Sequence, residues 1–158
     1  MQVGRQTWTI RGHRDYDPNR IGAISQARVA MALVEAGKLV YTLPWQVARW
    51  DLAFEDERGF FRVQCKTGRL YRGNICFRPY SLRAATGATG WRRLPAGYRG
   101  QVEFFGIYCP DNQSVYLVPV EEAATRTTTL RLEPTRNNQK KRVRWADDFL
   151  LMRGNVGS

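Results

Sequence analysis

Two short apolar segments on either side of an acidic turn constrain the fold of this chain more than any other feature. The segments 44–54 and 60–67 contain tryptophan, phenylalanine, valine and leucine at strand-like density. The turn 55–59 between them reads Glu-Asp-Glu-Arg-Gly. Apolar runs of this length, bounded by polar residues and glycine, are typical of paired β-strands. The sequence therefore predicts a β-hairpin over 50–67.

One face of the predicted hairpin gathers three kinds of polar side chain. Because side chains alternate across a strand, Gln64 and Lys66 share one face with Arg62, whereas Cys65 points to the other. Asp51 reaches the first face when the two strands pair in the simplest register. A carboxylate and a carboxamide oxygen can hold a hard divalent cation, and a nearby lysine can orient or deprotonate a water molecule. The pattern indicates a metal-assisted hydrolytic site.

The spacing Asp51…Gln64-Cys65-Lys66 resembles the core motif of the PD-(D/E)XK nuclease superfamily, an acid followed ten to twenty residues later by an acid or glutamine, a spacer and lysine. Within that superfamily the chain is most similar to the intron-associated homing endonucleases, and more distantly to archaeal Holliday-junction resolvases. The resemblance covers about residues 20–149. It is carried by the segments 22–26, 50–52, 63–67, 102–105 and 116–120, together with Gly37 and Pro44.

This resemblance implies an α/β fold with a restriction-endonuclease-like core, a central mixed β-sheet flanked by helices. It also implies Mg²⁺, with Mn²⁺ able to substitute, as the cofactor. The ligands would be the Asp51 carboxylate, the Gln64 side-chain oxygen and the backbone carbonyl of Cys65. Lys66 would position or activate the attacking water, and Gln26 stands on a helix where the family usually has glutamate. An ordinary surface glutamine explains residue 26 equally well.

The chain departs from the family pattern in two ways. With glutamine at both 26 and 64, Asp51 is the only acid of the motif, which favours one metal ion and slow turnover over a tight two-metal site. The Pro-Asp pair that names the superfamily is absent, since Trp50 precedes Asp51 and Pro44 lies seven residues before it. The acid side chain remains, and only that side chain is a ligand.

Charge placement favours a polyanionic partner. The formal net charge is +11, and residues 60–102 hold nine of the 25 basic side chains and none of the 14 acids. A surface that only confers solubility normally mixes both signs, so the charge favours a polyanionic substrate, and the family resemblance implies that this substrate is double-stranded DNA. The candidate DNA-binding residues are Arg69, Arg72, Arg78, Arg83, Arg92, Arg93, Arg99, Lys140 and Lys141.

The remaining elements follow from local signals. Ile24, Ala27, Ala30, Met31 and Val34 recur at helical spacing after the N-cap Asp17, which predicts a helix over 18–37. Further strands are expected at 38–43, 75–79, 101–109, 115–120 and 130–132, the second of them paired with the catalytic strand. Residues 80–100 are predicted to form a long basic loop, 121–124 a single helical turn, 145–151 a short helix, and 1–16 either a short strand or a flexible basic arm.

The length of 158 residues fits one domain, 1–158, with a core of its own. Three cysteines within apolar strands indicate reduced core residues, and one histidine without a paired-cysteine motif argues against zinc. With no long apolar run and no signal-peptide pattern, we expect a cytoplasmic protein, nucleoid-associated when bound to DNA, and no membrane partner.

Four functions fit the sequence. The first is a metal-dependent endonuclease that hydrolyses phosphodiester bonds in double-stranded DNA at specific sites, acting as a homo-oligomer, either dimer or tetramer. The second is a structure-selective nuclease similar to the junction resolvases. A non-catalytic DNA-binding module with a degenerate site is the third, and a structural protein without a nucleic-acid role is the last.

Overall fold

The computed structural model describes residues 17–88, 90–134, 141 and 143–155. The predicted basic arm over 1–16 and the candidate DNA-binding residue Lys140 lie outside these ranges. The described chain forms, in order, α1 (Pro18–Glu35), β1 (Leu39–Thr42), β2 (Leu52–Asp56), β3 (Gly59–Thr67), β4 (Arg69–Tyr71), β5 (Asn74–Phe77), β6 (Ser81–Gly87), β7 (Gly90–Ala96), β8 (Phe104–Cys109), β9 (Ser114–Pro119), β10 (Thr128–Arg131) and β11 (Leu150–Met152). Two 3-10 turns, Val120–Glu122 and Ala146–Phe149, complete it.

The main sheet has six strands in the order β1-β2-β3-β8-β9-β11. Strands β3 and β8 run parallel, and the other neighbouring pairs of this sheet run antiparallel. The predicted mixed central sheet is therefore confirmed, as is the β2–β3 hairpin, in which Leu52 pairs with Val63 and Asp56 with Gly59. Strand β3, which carries the candidate motif, lies in the interior of the sheet.

Helix α1 begins where the sequence predicts and ends two residues before the predicted end. The Asp17 carboxylate accepts a hydrogen bond from the amide of Asn19 at 2.9 Å, and Pro18 occupies the first turn, where its missing N–H costs nothing. Gly37 follows the helix with a φ of 77°, a left-handed conformation that glycine adopts without strain.

The residues whose spacing predicts α1 are not those that it buries. The buried face is Ile21, Ser25, Val29, Ala32 and Leu33. Most of the predicted stripe faces outward, and Met31 and Val34 are 56% and 55% exposed. Two apolar stripes therefore run along α1, and only one of them packs on the sheet.

Two apolar layers enclose the main sheet. On one side, Val29 and Leu33 of α1 pack on Leu52, Val63 and other residues of the strands. On the opposite side, Phe105 and other residues of β8 and β9 pack against a three-stranded sheet of order β10-β5-β4. One helix covers one face, and a small sheet, not a second helix, covers the other.

Three sequence predictions about local structure are wrong. Strand β5 pairs with β4 and β10, not with β3, because the chain turns at Gly68. A Cβ added at Gly68 would lie 2.9 Å from the Ile107 side chain. Residues 80–100 are not a loop, since β6 and β7 pair over their whole length as a separate two-stranded ribbon. The predicted helix at 145–151 is the second 3-10 turn followed by β11.

Within the described ranges, no helix is both long and apolar enough to cross a membrane.

Packing of α1 on β8 depends on one glycine. A Cβ at Gly106 would lie 2.5 Å from Val29 Cγ1 and 3.1 Å from Val63 Cγ1, so nothing larger than hydrogen fits there. Gly22 lies on the exposed side of α1, and a Cβ added there would meet nothing within 4 Å. The two glycines therefore supply a matched comparison.

We expect Gly106→Ala to lower the free energy of unfolding by roughly 1–3 kcal/mol, the usual cost of overpacking. Gly22→Ala should raise it by about 0.5–1 kcal/mol, because alanine has the higher helix propensity. Urea titration followed by circular dichroism measures both changes. Equal effects of the two substitutions would contradict this packing of α1 against β8.

Candidate active site

The carboxylate of Asp51 is the centre of a hydrogen-bonded cluster at the end of the β2–β3 hairpin. The Asp51 amide donates to the carbonyl oxygen of Val63 at 3.0 Å, which extends the hairpin ladder by one residue. Asp51 Oδ2 accepts a hydrogen bond from Gln64 Nε2 at 2.6 Å and another from the amide of Cys65 at 2.8 Å. The register of the hairpin thus brings the acid of the motif directly against the second half of the motif.

Burial and hydrogen bonding act in opposite directions on this carboxylate. Burial raises the pKa of Asp51 above its ordinary value, while the Cys65 amide and the charge of Lys66 act to lower it. Burial also raises the pKa of the Cys65 thiol well above its ordinary value. That thiol packs in the apolar layer under α1, and only its backbone faces the cluster.

The amide of Gln64 contacts two oxygens that could hold a cation. Its Nε2 lies 2.6 Å from Asp51 Oδ2 and 3.4 Å from the carbonyl oxygen of Cys65, so one positively polarised group contacts both oxygens. Rotation of the amide by half a turn replaces that nitrogen with a third oxygen. Carboxylate, carbonyl and carboxamide oxygens are the ligands that Mg²⁺ and Mn²⁺ prefer. The donor set therefore fits a hard cation.

The cluster contains a single carboxylate. Nowhere in the described part of the chain do three or more histidine, cysteine, aspartate or glutamate side chains gather into a group that could hold a metal ion. The protein charge available to a cation here is that of Asp51, with neutral oxygens supplying the other contacts.

Helix α1 reaches the cluster through two neighbouring side chains. Gln26 Nε2 donates to the backbone carbonyl of Asp51 at 3.4 Å, so residue 26 contacts the acid through its backbone and not through its carboxylate. Ser25, which the sequence analysis did not single out, is buried, and its hydroxyl lies 2.7 Å from that of Thr67 at the end of β3. A buried serine in an otherwise apolar helical face is the signal that indicates this contact.

Lys66 extends from the same strand but contacts a different part of the chain. Its Nζ donates to the carbonyl oxygen of Tyr80 at 2.9 Å and lies 4.9 Å from the centroid of the Tyr98 ring. The structure thus brings together Gln26, Asp51, Gln64 and Cys65, and directs the Lys66 ammonium to the base of the β6–β7 ribbon. No sequence signal indicates Tyr98 as a neighbour of this lysine.

A salt bridge fixes the start of β8 beside the candidate strand. Arg62 donates to the carboxylate of Glu103 from its backbone amide at 2.7 Å and from its guanidinium at 2.5 and 3.1 Å. These bonds hold the pKa of Glu103 below its ordinary value. Arg62 therefore belongs to the scaffold, although it shares the face of Gln64 and Lys66.

The candidate DNA-binding residues occupy separate elements. Arg72, Arg78, Arg99 and Lys141 are exposed, and Arg69 is half-buried at the start of β4. The ribbon carries Arg83, Arg92 and Arg93, all exposed.

The ribbon presents arginine and apolar side chains on both of its faces. Its register pairs Arg83 with Leu94 and Ala85 with Arg92, so those two arginines share one face. The opposite face carries Leu82, Trp91 and Arg93. Trp91 is 78% exposed, an unusual position for so large an apolar side chain.

Comparison with protein-family models matches residues 16–152 to the PD-(D/E)XK endonuclease family. This match spans most of the chain, and the chain belongs to that family. The predicted membership of the superfamily is thereby confirmed.

Among solved structures, the fold is similar to that of a bacterial homing endonuclease, I-Ssp6803I. The TM-score is 0.61, the sequence identity is 20%, and the similarity covers 85% of this chain and 89% of the other. At this identity the similarity shows the restriction-endonuclease-like fold. No curated protein matches the chain.

Proposed function

We propose that this protein is a metal-dependent endonuclease that hydrolyses phosphodiester bonds in double-stranded DNA, of the site-specific homing type. The observation that supports the proposal is that Asp51 Oδ2 accepts hydrogen bonds from Gln64 Nε2 and from the Cys65 amide, which brings residues of the family motif into contact. Family membership supports the reaction, and the fold of a homing endonuclease supports the type.

Each residue of the cluster has a proposed part in the reaction. Asp51, the side-chain oxygen of Gln64 and the carbonyl of Cys65 would hold Mg²⁺ or Mn²⁺. A divalent cation there stabilises charge on the phosphate and on the leaving oxygen. The ammonium of Lys66 would orient the attacking water. Gln26 would hold the backbone of Asp51 and so keep the carboxylate in place.

The β6–β7 ribbon is the proposed DNA-reading element. Seven residues per strand give it a length of roughly 20 Å. The major groove of B-DNA, about 12 Å wide, admits a two-stranded ribbon. The exposed arginines of the β6–β7 ribbon are suited to bind phosphate oxygens and guanine edges. Together with the exposed Arg72, Arg78, Arg99 and Lys141, and with Arg69 and Lys140, it would supply the cationic surface for DNA.

We also propose that the protein acts as a homo-oligomer. If one cluster cuts one strand, two copies related by a two-fold axis perpendicular to the duplex would cut both strands. The outward stripe of α1, with Ile24, Met31 and Val34 exposed, is the apolar surface that a second copy would cover.

Cleavage assays on a linear duplex library, supercoiled plasmid and a four-way junction test the proposed activity. With Mg²⁺ or Mn²⁺ the wild type should cut the linear duplex and linearise the plasmid, and chelation of the metal ion should stop cleavage. Asp51→Asn and Lys66→Met should each lower the rate by roughly a hundredfold or more, the usual contribution of a group acting on the reacting water or its cation.

Other outcomes of these assays would replace the proposal. Cleavage of the junction alone indicates a structure-selective nuclease. A wild type that cuts nothing, with cutting gained in Gln26→Glu/Gln64→Glu, indicates a DNA-binding module whose site has degenerated. Unchanged cutting in both Asp51→Asn and Lys66→Met places the reaction elsewhere in the chain.

Removal of the ribbon's charge should weaken DNA binding and flatten its salt dependence. In Arg83→Ala/Arg93→Ala, the slope of log K against log salt should fall by about two units, one for each phosphate contact. The measurement is fluorescence anisotropy of a labelled duplex over a range of KCl concentrations.

A double variant that removes the same number of charges away from the ribbon is the control. Arg58 and Arg153 form surface salt bridges with Asp56 and Asp147. Arg58→Gln/Arg153→Gln should keep the wild-type slope. An equal change in both double variants would mean that net charge, and not the ribbon, sets DNA affinity.

A further inference from the structure

Both strands of the β6–β7 ribbon are bound at one end of the ribbon, its base, by the segments that carry the candidate site. At the entry to β6, the carbonyl oxygen of Tyr80 accepts the hydrogen bond from Lys66 Nζ at 2.9 Å. At the end of β7, Arg49 Nη2 donates to the carbonyl oxygens of Ala96 at 3.3 Å and Gly97 at 2.8 Å. Arg49 lies two residues before the carboxylate of the cluster. Lys66 of the family motif and Arg49, two residues before the motif's acid, therefore each contact one side of the ribbon at its base.

The ring of Tyr98 joins these two contacts. The guanidinium carbon of Arg49 lies 4.3 Å from the ring centroid, and Lys66 Nζ lies 4.9 Å from it. Both distances are within the range in which a cation is attracted by an aromatic face. Tyr98 is itself 5% exposed and packs edge-on against Phe105 at 5.7 Å. The ring is thus fixed by the apolar layer and cannot follow the two cations if they move.

One of the three side-chain nitrogens of Arg49 is left without a hydrogen-bond partner within the described part of the chain. Its Nε is buried and has no partner among the described residues. An unpaired buried donor is uncommon and costs stability, so it marks a side chain whose position serves another purpose. The purpose that the contacts indicate is to hold Tyr98 and the end of β7 in place.

We propose that Tyr98, held by Arg49, is a positioning residue for Lys66. The contacts among Arg49, Lys66, Tyr80 and Tyr98, called here the Tyr98 junction, would couple binding of DNA to the ribbon with cleavage. A lysine ammonium on a free four-carbon chain samples many rotamers. The Tyr98 face and the Tyr80 carbonyl restrict it to one region at the base of the ribbon. Because the same groups form the base of the ribbon, displacement of the ribbon moves the ammonium. This inference rests on the proposed endonuclease function.

Two measurements test the Tyr98 junction, the first of them independently of DNA cleavage. The first is the rate at which Lys66 of the metal-free protein is acetylated by acetic anhydride, measured by mass spectrometry with the exposed Lys141 as internal reference. The second is the single-turnover cleavage rate at saturating DNA, compared with the DNA dissociation constant. A positioning role alters the first readout and the cleavage rate, and leaves the dissociation constant unchanged.

The variants are Arg49→Gln, Tyr98→Leu and the conservative Tyr98→Phe, which keeps the ring. Arg49→Gln and Tyr98→Leu should each raise acetylation of Lys66 several-fold and lower the cleavage rate about tenfold, the effect expected when a cation–π contact is lost. The dissociation constant should stay within about twofold, and Tyr98→Phe should match the wild type. Arg49 is partly exposed, so its variant keeps the test valid if Tyr98→Leu does not fold.

Arg58→Gln is the matched control. Arg58 also stacks on an aromatic ring, that of Phe61 at 5.4 Å, but at the opposite end of the β2–β3 hairpin. It should change neither readout. The proposed role of the Tyr98 junction is contradicted if Arg49→Gln leaves acetylation of Lys66 unchanged. It is also contradicted if Arg49→Gln weakens DNA binding by the same factor as cleavage, because Arg49 would then be a phosphate contact. If acetylation rises as expected in a protein that cuts no DNA, the hold on Lys66 is supported and the endonuclease proposal fails.

Discussion

The site depends on the two hydrogen bonds that Asp51 Oδ2 accepts from Gln64 and from the backbone of Cys65. A half-buried carboxylate without such partners would be driven toward its neutral form, since burial raises its pKa. The bond from the Cys65 amide acts against that rise, as does the charge of Lys66, and both bonds fix the position of the carboxylate. They also require β2 and β3 to keep one register, because a slip of one residue would turn Gln64 and Lys66 to the opposite face.

Parallel pairing of β3 with β8 makes that register rigid. Strand β3 lies between β2 and β8, with Val63 and Cys65 packed under α1. The Arg62–Glu103 bonds and the absent side chain of Gly106 allow β8 and the helix to approach it closely. Chemistry carried on an interior strand is held more precisely than chemistry on a loop. The ribbon contacts the site segments at its base and carries the exposed arginines Arg83 and Arg93 on its strands.

Much of the site can be predicted from sequence because it is local. Asp51 and Gln64 lie on adjacent strands of one hairpin, so alternation and a short turn suffice to bring them together. The Tyr98 junction cannot be predicted in this way, since it joins residues 49, 66 and 98 through the path of the chain between β4 and β8. Glycine, threonine and arginine weaken the strand pattern of the ribbon, which is why its sequence predicts a loop. Apolar residues also recur at helical spacing on the outer side of α1, so the spacing alone does not identify the face that the helix buries.

We propose that Asp51, Gln64 and the Cys65 carbonyl form one hard-cation site, in which the Gln64 amide releases its hydrogen bond to Asp51 and turns its oxygen to the ion. The most direct test is a crystal structure grown with Mn²⁺ and recorded at an anomalous wavelength. We predict one anomalous peak in contact with the Asp51 carboxylate and the Cys65 carbonyl, with the Gln64 amide turned so that its oxygen faces the ion. A structure in which Gln64 Nε2 remains bonded to Asp51 at saturating Mn²⁺, with the ion bound elsewhere or absent, would contradict the account.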